Sequence, residues 1–372
     1  MVALGLILLR AVYVKFTLII MSVNRNPLRG RGSSDNPVNR FEGHYTDYDL
    51  DEETGEKPKQ KTRLYPDDTK EIISTNSSPD ISFDASINPY RGCEHGCIYC
   101  YARPTHEYLG FSAGLDFESR IMVKYDAPRK LREKLSSPKW EPKVIVMSGV
   151  TDCYQPIERE LEVTRGCLKV LAEFRNPVSM ITKNYLVTRD IGYLKELAGH
   201  SAARVTMSIT TLDRKLARVM EPRTSQPGRR LQAIKKLAEA GIPVGVNVAP
   251  IIPGLTDHEC VKILEAARNA GATHAGFTIM RLPYGVKDLF RDWLEQHFPD
   301  RKDKVLNKIR DMRGGKLNDS TFGKRFSGEG NFAKQITDLF SIHSERLGFN
   351  ETRIPLSIAS FNPAEGYQMN LF

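Results

Sequence analysis

The chain is 372 residues long, 40% apolar, and carries a formal net charge of +9. This permits one large domain with tails or two ordinary domains, and supplies ample apolar material for a core. Six cysteines, three of them in one short run, do not form a disulfide framework and point to a reducing, cytoplasmic compartment, while the basic balance suits a polyanionic partner without separating DNA from RNA or a nucleotide cofactor.

In chain order, residues 1–20 are apolar but broken by Arg10 and Lys15, so no run reaches the roughly 18 residues of a spanning helix. Met21 then opens a polar sequence like an ordinary cytosolic start. Residues 1–20 read as an over-extended start, with an apolar leader or signal anchor as the alternative, and no stable membrane association is expected. Residues 21–80, rich in Asn, Asp, Gly, Pro, Lys and Glu, read as an extended arm.

From 81 to 300, short β-type runs alternate with helical patterns, the signature of successive strand–helix units on a parallel sheet. Strands are predicted at 81–87, 144–147, 178–182, 204–209, 244–248 and 275–280. Helices are predicted near 159–174, 188–198, 227–240, 257–269 and 286–296. The pattern alone allows a doubly wound sheet, a full barrel or a partial one. A basic helical extension follows at 301–361 and a loose tail at 362–372.

The most informative residues are Cys93, Cys97 and Cys100, in the run INPYRGCEHGCIYCYARP. Three thiolates at this spacing are one short of the four that usually hold a four-iron cluster, which leaves one iron open to a ligand from outside the protein. A zinc knuckle is the plainer reading, but it needs a fourth Cys or His at ligand spacing. His95 lies inside the run and is expected to face solvent or shield the metal rather than bind it.

The spacing resembles the cluster loop of the radical S-adenosylmethionine (radical SAM) superfamily, and the flanking residues resemble its spore photoproduct lyase-like branch. The resemblance covers roughly residues 83–345. It implies an α/β fold with a partial (β/α)6 barrel, a [4Fe-4S] cluster on Cys93, Cys97 and Cys100, and S-adenosyl-L-methionine chelated to the open iron. One electron from the cluster, delivered by a reductant such as flavodoxin or ferredoxin, then releases a 5′-deoxyadenosyl radical. Damaged or modified DNA is the implied substrate. RNA, protein or a small molecule is the alternative, and an electron carrier or structural iron–sulfur protein is the non-enzymatic one.

Ligands of parallel sheets collect at the carboxyl ends of the strands. After the second predicted strand, Ser148-Gly-Val-Thr-Asp152-Cys153 occupies the place where the superfamily meets the methionine amino group, which suggests a cofactor role for Asp152; capping the next helix is the plainer role. Lys183 and Ser208 match, in order and local sequence, the lysine and serine that hold the methionine carboxylate in the lyase. Asn247, in an otherwise apolar strand, faces the adenosine or bonds neighbouring backbone. Cys153 falls in the loop where the lyase keeps its hydrogen-atom donor, though displaced by a few residues, and Tyr99 and Tyr101 stand where its tyrosines stand; a small packing residue is the alternative for Cys153.

Other patterns carry less. His106-Glu107 lacks the second histidine of a zinc-protease helix, and Gly328-Glu-Gly330 has no strand before it. The basic residues Lys304, Lys308, Arg310, Arg313, Lys316, Lys324 and Arg325, interleaved with Phe322 and Phe326, suit either a solvated helical face or a nucleic-acid track. The terminal Gln368-Met-Asn-Leu371-Phe372 resembles the peptide by which bacterial DNA polymerases and repair proteins dock on the beta sliding clamp, with Gln368, Leu371 and Phe372 as anchors.

Overall fold

The computed structural model describes residues 27–42, 60–351 and 355–363. The apolar leader at 1–20 and the clamp-like anchors Gln368, Leu371 and Phe372 lie outside the described residues.

The main sheet has seven strands. Those before the helical half of the chain are β2 (Ile73–Thr75), β3 (Ala85–Ile87) and β6 (Ile145–Met147). The others are β7 (Val178–Thr182), β8 (Ala203–Ser208), β9 (Val244–Ile251) and β10 (His274–Ile279). Their order is β10-β9-β8-β7-β6-β3-β2. β2 pairs antiparallel with β3, and every other neighbouring pair is parallel. β2 and β10 are the free edges, so the barrel is open. The six parallel strands fall where the alternation of β-type and helical patterns puts them. The first is shorter than predicted, because residues 81–84 turn before pairing begins at Ala85. Ile145-Val-Met147 is buried throughout, as expected of a strand covered on both faces.

Helices on the sheet also follow the predicted order, with two instructive departures. The predicted helix near 159–174 is broken into Glu158–Leu161 and Val163–Glu173 at Glu162, which takes a left-handed conformation with φ 51°. The buried Glu158 carboxylate accepts from the N–H groups of Thr164 (2.9 Å) and Arg165 (3.2 Å), so it caps the second piece from within the first. The predicted helix near 188–198 begins as a 3₁₀ turn at Tyr185–Asp190, with the Asn184 side chain accepting from Leu186 N–H, before the α-helix Ile191–Gly199.

A second, three-stranded sheet has the order β1-β5-β4, with β1 at Arg63–Pro66, β4 at Tyr90–Arg91 and β5 at Arg120–Val123. The pattern of apolar residues gives no sign of it, since its strands have two to four residues. β4 leads into the cysteine run and β5 leaves the segment behind it, so this small sheet ties off residues 92–119 as a unit at one end of the main sheet.

Candidate active site

Cys93, Cys97 and Cys100 are free thiols on one loop; the first two are buried and the third is partly open. The loop has almost no regular structure of its own, so its backbone must be held by side chains. Arg103, wholly buried, does most of this. Its guanidinium donates to the carbonyls of Cys97 (2.9 Å), Gly96 (3.1 Å), Ala113 (3.1 Å) and Gly114 (3.0 Å), and it pairs with buried Glu118. The same carboxylate accepts from the N–H groups of Gly32 (3.0 Å) and Ser33 (2.8 Å) of the N-terminal arm. The arm therefore packs directly on the cysteine loop. A Cβ on Gly32 would stand 1.7 Å from the Gly96 carbonyl oxygen, so only glycine permits this approach.

On the opposite side, buried Gln155 accepts from Glu94 N–H (2.9 Å) and donates to the Gly92 carbonyl (3.2 Å). Asn88 accepts from Val150 N–H at 2.8 Å, binding the loop after β6 to the run before the cysteines. Arg103, Glu118, Gln155 and Asn88 were not singled out from sequence. The one signal available for Arg103 was its position three residues after the last cysteine.

His95 is buried, not solvent-facing. Its Nδ1 lies 3.3 Å from the Asp152 carboxylate and its Nε2 lies 3.2 Å from the Asn184 amide, so both ring nitrogens are engaged by protein. Asp152 in turn accepts from Thr182 Oγ1 (2.8 Å), Tyr154 N–H (2.9 Å) and Lys183 N–H (2.8 Å). Burial acts to raise its pKa, but His95 and the two backbone donors outweigh it and hold the carboxyl near 2. Asp152 thereby fastens the cysteine loop to the ends of β6 and β7.

The strand-end residues form a level row. Ser208 pairs with Asn247 and Asn247 with Gly276, while Thr182 pairs with Met207, which sets Lys183 beside Ser208. Neighbours in one rung of a parallel sheet share a face, so Lys183, Ser208 and Asn247 lie together at the carboxyl ends of β7, β8 and β9. The Lys183 ammonium is 5.9 Å from the centre of the Tyr99 ring, and it makes no ion pair or side-chain hydrogen bond among the described residues. Tyr99 is buried between Cys97 and Cys100. Its hydroxyl reaches Glu221 and lies 3.1 Å from Thr210 Oγ1, and Glu221 pairs with the buried Arg230. Burial and the Glu221 charge push the Tyr99 phenol well up.

Tyr101 is half exposed and its hydroxyl donates to the Gly149 carbonyl at 2.8 Å. Cys153 is fully buried in the main hydrophobic core; burial and neighbouring Asp152 push its thiol well up. The basic run is dispersed. Arg313 is buried against the Ile279 and Met280 carbonyls, and Lys308, Lys324 and Arg325 pair with Asp257, Glu329 and Asp80.

Burial raises the thiols of Cys93 and Cys97, and so do nearby acidic groups, Asp152 for the first and Glu221 for the second, together with the other cysteines of the loop. Buried thiols raised in this way call for multivalent positive charge to hold them as thiolates. Among the described residues, no set of His, Cys, Asp and Glu converges as a single ion would need. A multi-iron cluster spanning the three sulfurs fits this donor set.

A family model described as Radical SAM superfamily matches residues 87–267. An uncharacterized protein of Methanocaldococcus jannaschii is 31% identical over 222 residues, 60% of this chain and 79% of that protein. The chain belongs to the radical SAM superfamily. Members of this superfamily bind a [4Fe-4S] cluster and S-adenosylmethionine. An uncharacterized protein of Mycobacterium tuberculosis is 35% identical over 222 residues, 59% of this chain and 65% of that protein, so the chain spans about two thirds of the mycobacterial relative's length. Spore photoproduct lyase complexed with dinucleoside spore photoproduct aligns over 77% of this chain and 80% of that one, with a TM-score of 0.56 and 20% identity. A mutant of that lyase with bound AdoMet and dinucleoside spore photoproduct gives a TM-score of 0.53 over 73% of this chain and 77% of that one, also at 20% identity. At this identity the likeness is one of fold, and it agrees with the open parallel sheet.

Proposed function

We propose that the chain is a radical SAM enzyme of lyase-like character that repairs or modifies DNA. The observation that carries the enzymatic part is the juxtaposition of three free thiols on one loop with a row of strand-end polar groups whose lysine makes no ion pair or side-chain hydrogen bond among the described residues. An electron-transfer protein would have no use for that row. With the cofactors bound, the cluster supplies one electron that cleaves S-adenosylmethionine to a 5′-deoxyadenosyl radical.

The chain's own residues have separable tasks. Cys93, Cys97 and Cys100 hold the iron. Lys183, a compact cation, pairs with the methionine carboxylate, with Ser208 donating beside it and Asn247 facing the adenosine. Asp152 orders the ends of β6 and β7 through His95 and Lys183 N–H, so its cofactor role is to orient the loop that meets the methionine amino group. Tyr99 and Tyr101 flank the last cluster cysteine, and Cys153 is the candidate hydrogen-atom donor.

The DNA assignment draws on the lyase's bound dinucleoside spore photoproduct, the net charge of +9 and the clamp-like tail. Protein reconstituted anaerobically should form 5′-deoxyadenosine on reduction, and ultraviolet-irradiated DNA should increase its yield. Absence of 5′-deoxyadenosine in a cluster-loaded sample would leave an electron carrier as the reading. A peptide of the last residues should bind purified beta sliding clamp with micromolar affinity, about −8 kcal/mol, and lose binding without Leu371 and Phe372.

A further inference from the structure

Tyr101, 50% exposed, follows the last cluster cysteine directly, and its bond to the Gly149 carbonyl holds the ring between the cysteine loop and the end of β6. The Arg281 guanidinium, just beyond β10, lies 5.6 Å from the centre of that ring and 5.9 Å from the centre of Phe326. Arg325 lies 4.8 Å from Phe326 and 5.0 Å from Phe322, which is 56% exposed. Rings and guanidinium groups therefore alternate outward from Cys100 in one connected row.

The row is built into the fold. Ile279 N–H donates to the Phe326 carbonyl at 2.8 Å, and buried Arg313 joins the Ile279 and Met280 carbonyls to that of Lys324 (2.9 Å), which fixes the 322–326 segment against the end of β10. The two arginines of the row differ. Arg325 is held by Asp80 through Nε at 2.8 Å and through its terminal nitrogen. Arg281 makes no ion pair or hydrogen bond among the described residues, although it is partly buried with Arg325 as a neighbouring like charge; the Asp80 carboxylate, engaged by Arg325, acts on it only at longer range. A guanidinium so placed favours an incoming anion, and exposed rings beside it favour flat apolar partners. A nucleobase attached to a phosphate offers both.

We propose that Tyr101, Arg281, Phe326, Arg325 and Phe322 form a stacking track for an unpaired polynucleotide strand, with Arg281 on a backbone phosphate and the exposed rings under successive bases. This rests on the reading of the chain as an enzyme of DNA and adds that the target is presented unpaired. Only unpaired bases expose their faces to stack on aromatic rings, whereas a duplex keeps them against one another.

The test measures anisotropy of a short fluorescein-labelled oligothymidylate, free or annealed to its complement, with anaerobically reconstituted full-length protein. Single-strand binding should exceed duplex binding. Phe322→Ala, which removes an exposed ring, should weaken it about tenfold. Arg281→Gln should weaken it and make the plot of log affinity against log salt shallower by about 0.7, the loss of one phosphate contact on a single strand. Cluster absorbance checks that each variant is folded. Affinity within about twofold of wild type for both variants, or equal binding of duplex and single strand, overturns the track. Formation of 5′-deoxyadenosine by the wild-type protein without DNA is read separately, so a bound strand without that product sinks the radical reading and keeps the track.

Discussion

The loop after β6 and the row across β7, β8 and β9 stand at the same end of one sheet, yet their polar groups are in opposite states. After β6, Asp152 has four donors around it and Cys153 is sealed in the core. Across the row, the Lys183 ammonium makes no ion pair or side-chain hydrogen bond among the described residues and lies 5.9 Å from the centre of the Tyr99 ring, with the Glu221 charge acting on it only at longer range. A side chain fully engaged by protein positions its neighbours, and one left unengaged beside a metal loop is available to a ligand. Location at a strand end alone does not distinguish the two.

The largest expected effect tests the loop that both regions surround. Replacing any of Cys93, Cys97 or Cys100 with Ala should abolish the cluster, read as iron content and visible absorbance. A triple variant that retained both would place the metal elsewhere. Next comes Arg103→Ala, which strips the Gly96, Cys97, Ala113 and Gly114 carbonyls of their donor and leaves buried Glu118 without its cation. Loss of one partner of a buried pair costs about 3–5 kcal/mol, so denaturant unfolding should show a drop of that order. A change under about 1 kcal/mol would mean that the loop is held by other contacts.

The comparison itself is sharpened by Asp152→Ala against Lys183→Ala. The first leaves the N–H groups of Lys183 and Tyr154 unpaired and should lower stability by about 2 kcal/mol or more. The second should change stability less but weaken S-adenosylmethionine binding tenfold or more, since a charge-assisted contact contributes about 1.5–3 kcal/mol. The reverse pattern in calorimetry would exchange their roles. The smallest effect belongs to Cys153→Ala, at about 1 kcal/mol for a buried sulfur. If the sealed thiol nevertheless returns a hydrogen atom to substrate, the variant will keep 5′-deoxyadenosine formation while its product distribution shifts; an unchanged distribution leaves it a packing residue.

The order of the strands and the three cysteines were legible because both are local signals. A period-two apolar run or a two-residue gap between thiols is complete within a few positions, and Lys183 and Ser208 could be placed by counting strand ends. The burial of His95, expected either to face solvent or to shield the metal, was not legible because its partners, Asp152 and Asn184, lie 57 and 89 positions away. Arg103 looked like any basic residue until the fold wrapped five acceptors around it, and Gly32 like any loop glycine until the arm met Gly96. The row from Tyr101 through Arg281 to Phe322 joins segments about 180 and 220 residues apart. The sequence by itself determined which chemical groups are present and the order in which the sheet carries them. Tertiary structure alone decided which groups are neutralised by protein and which remain open, because burial and pairing depend on contacts between distant segments that no local pattern encodes.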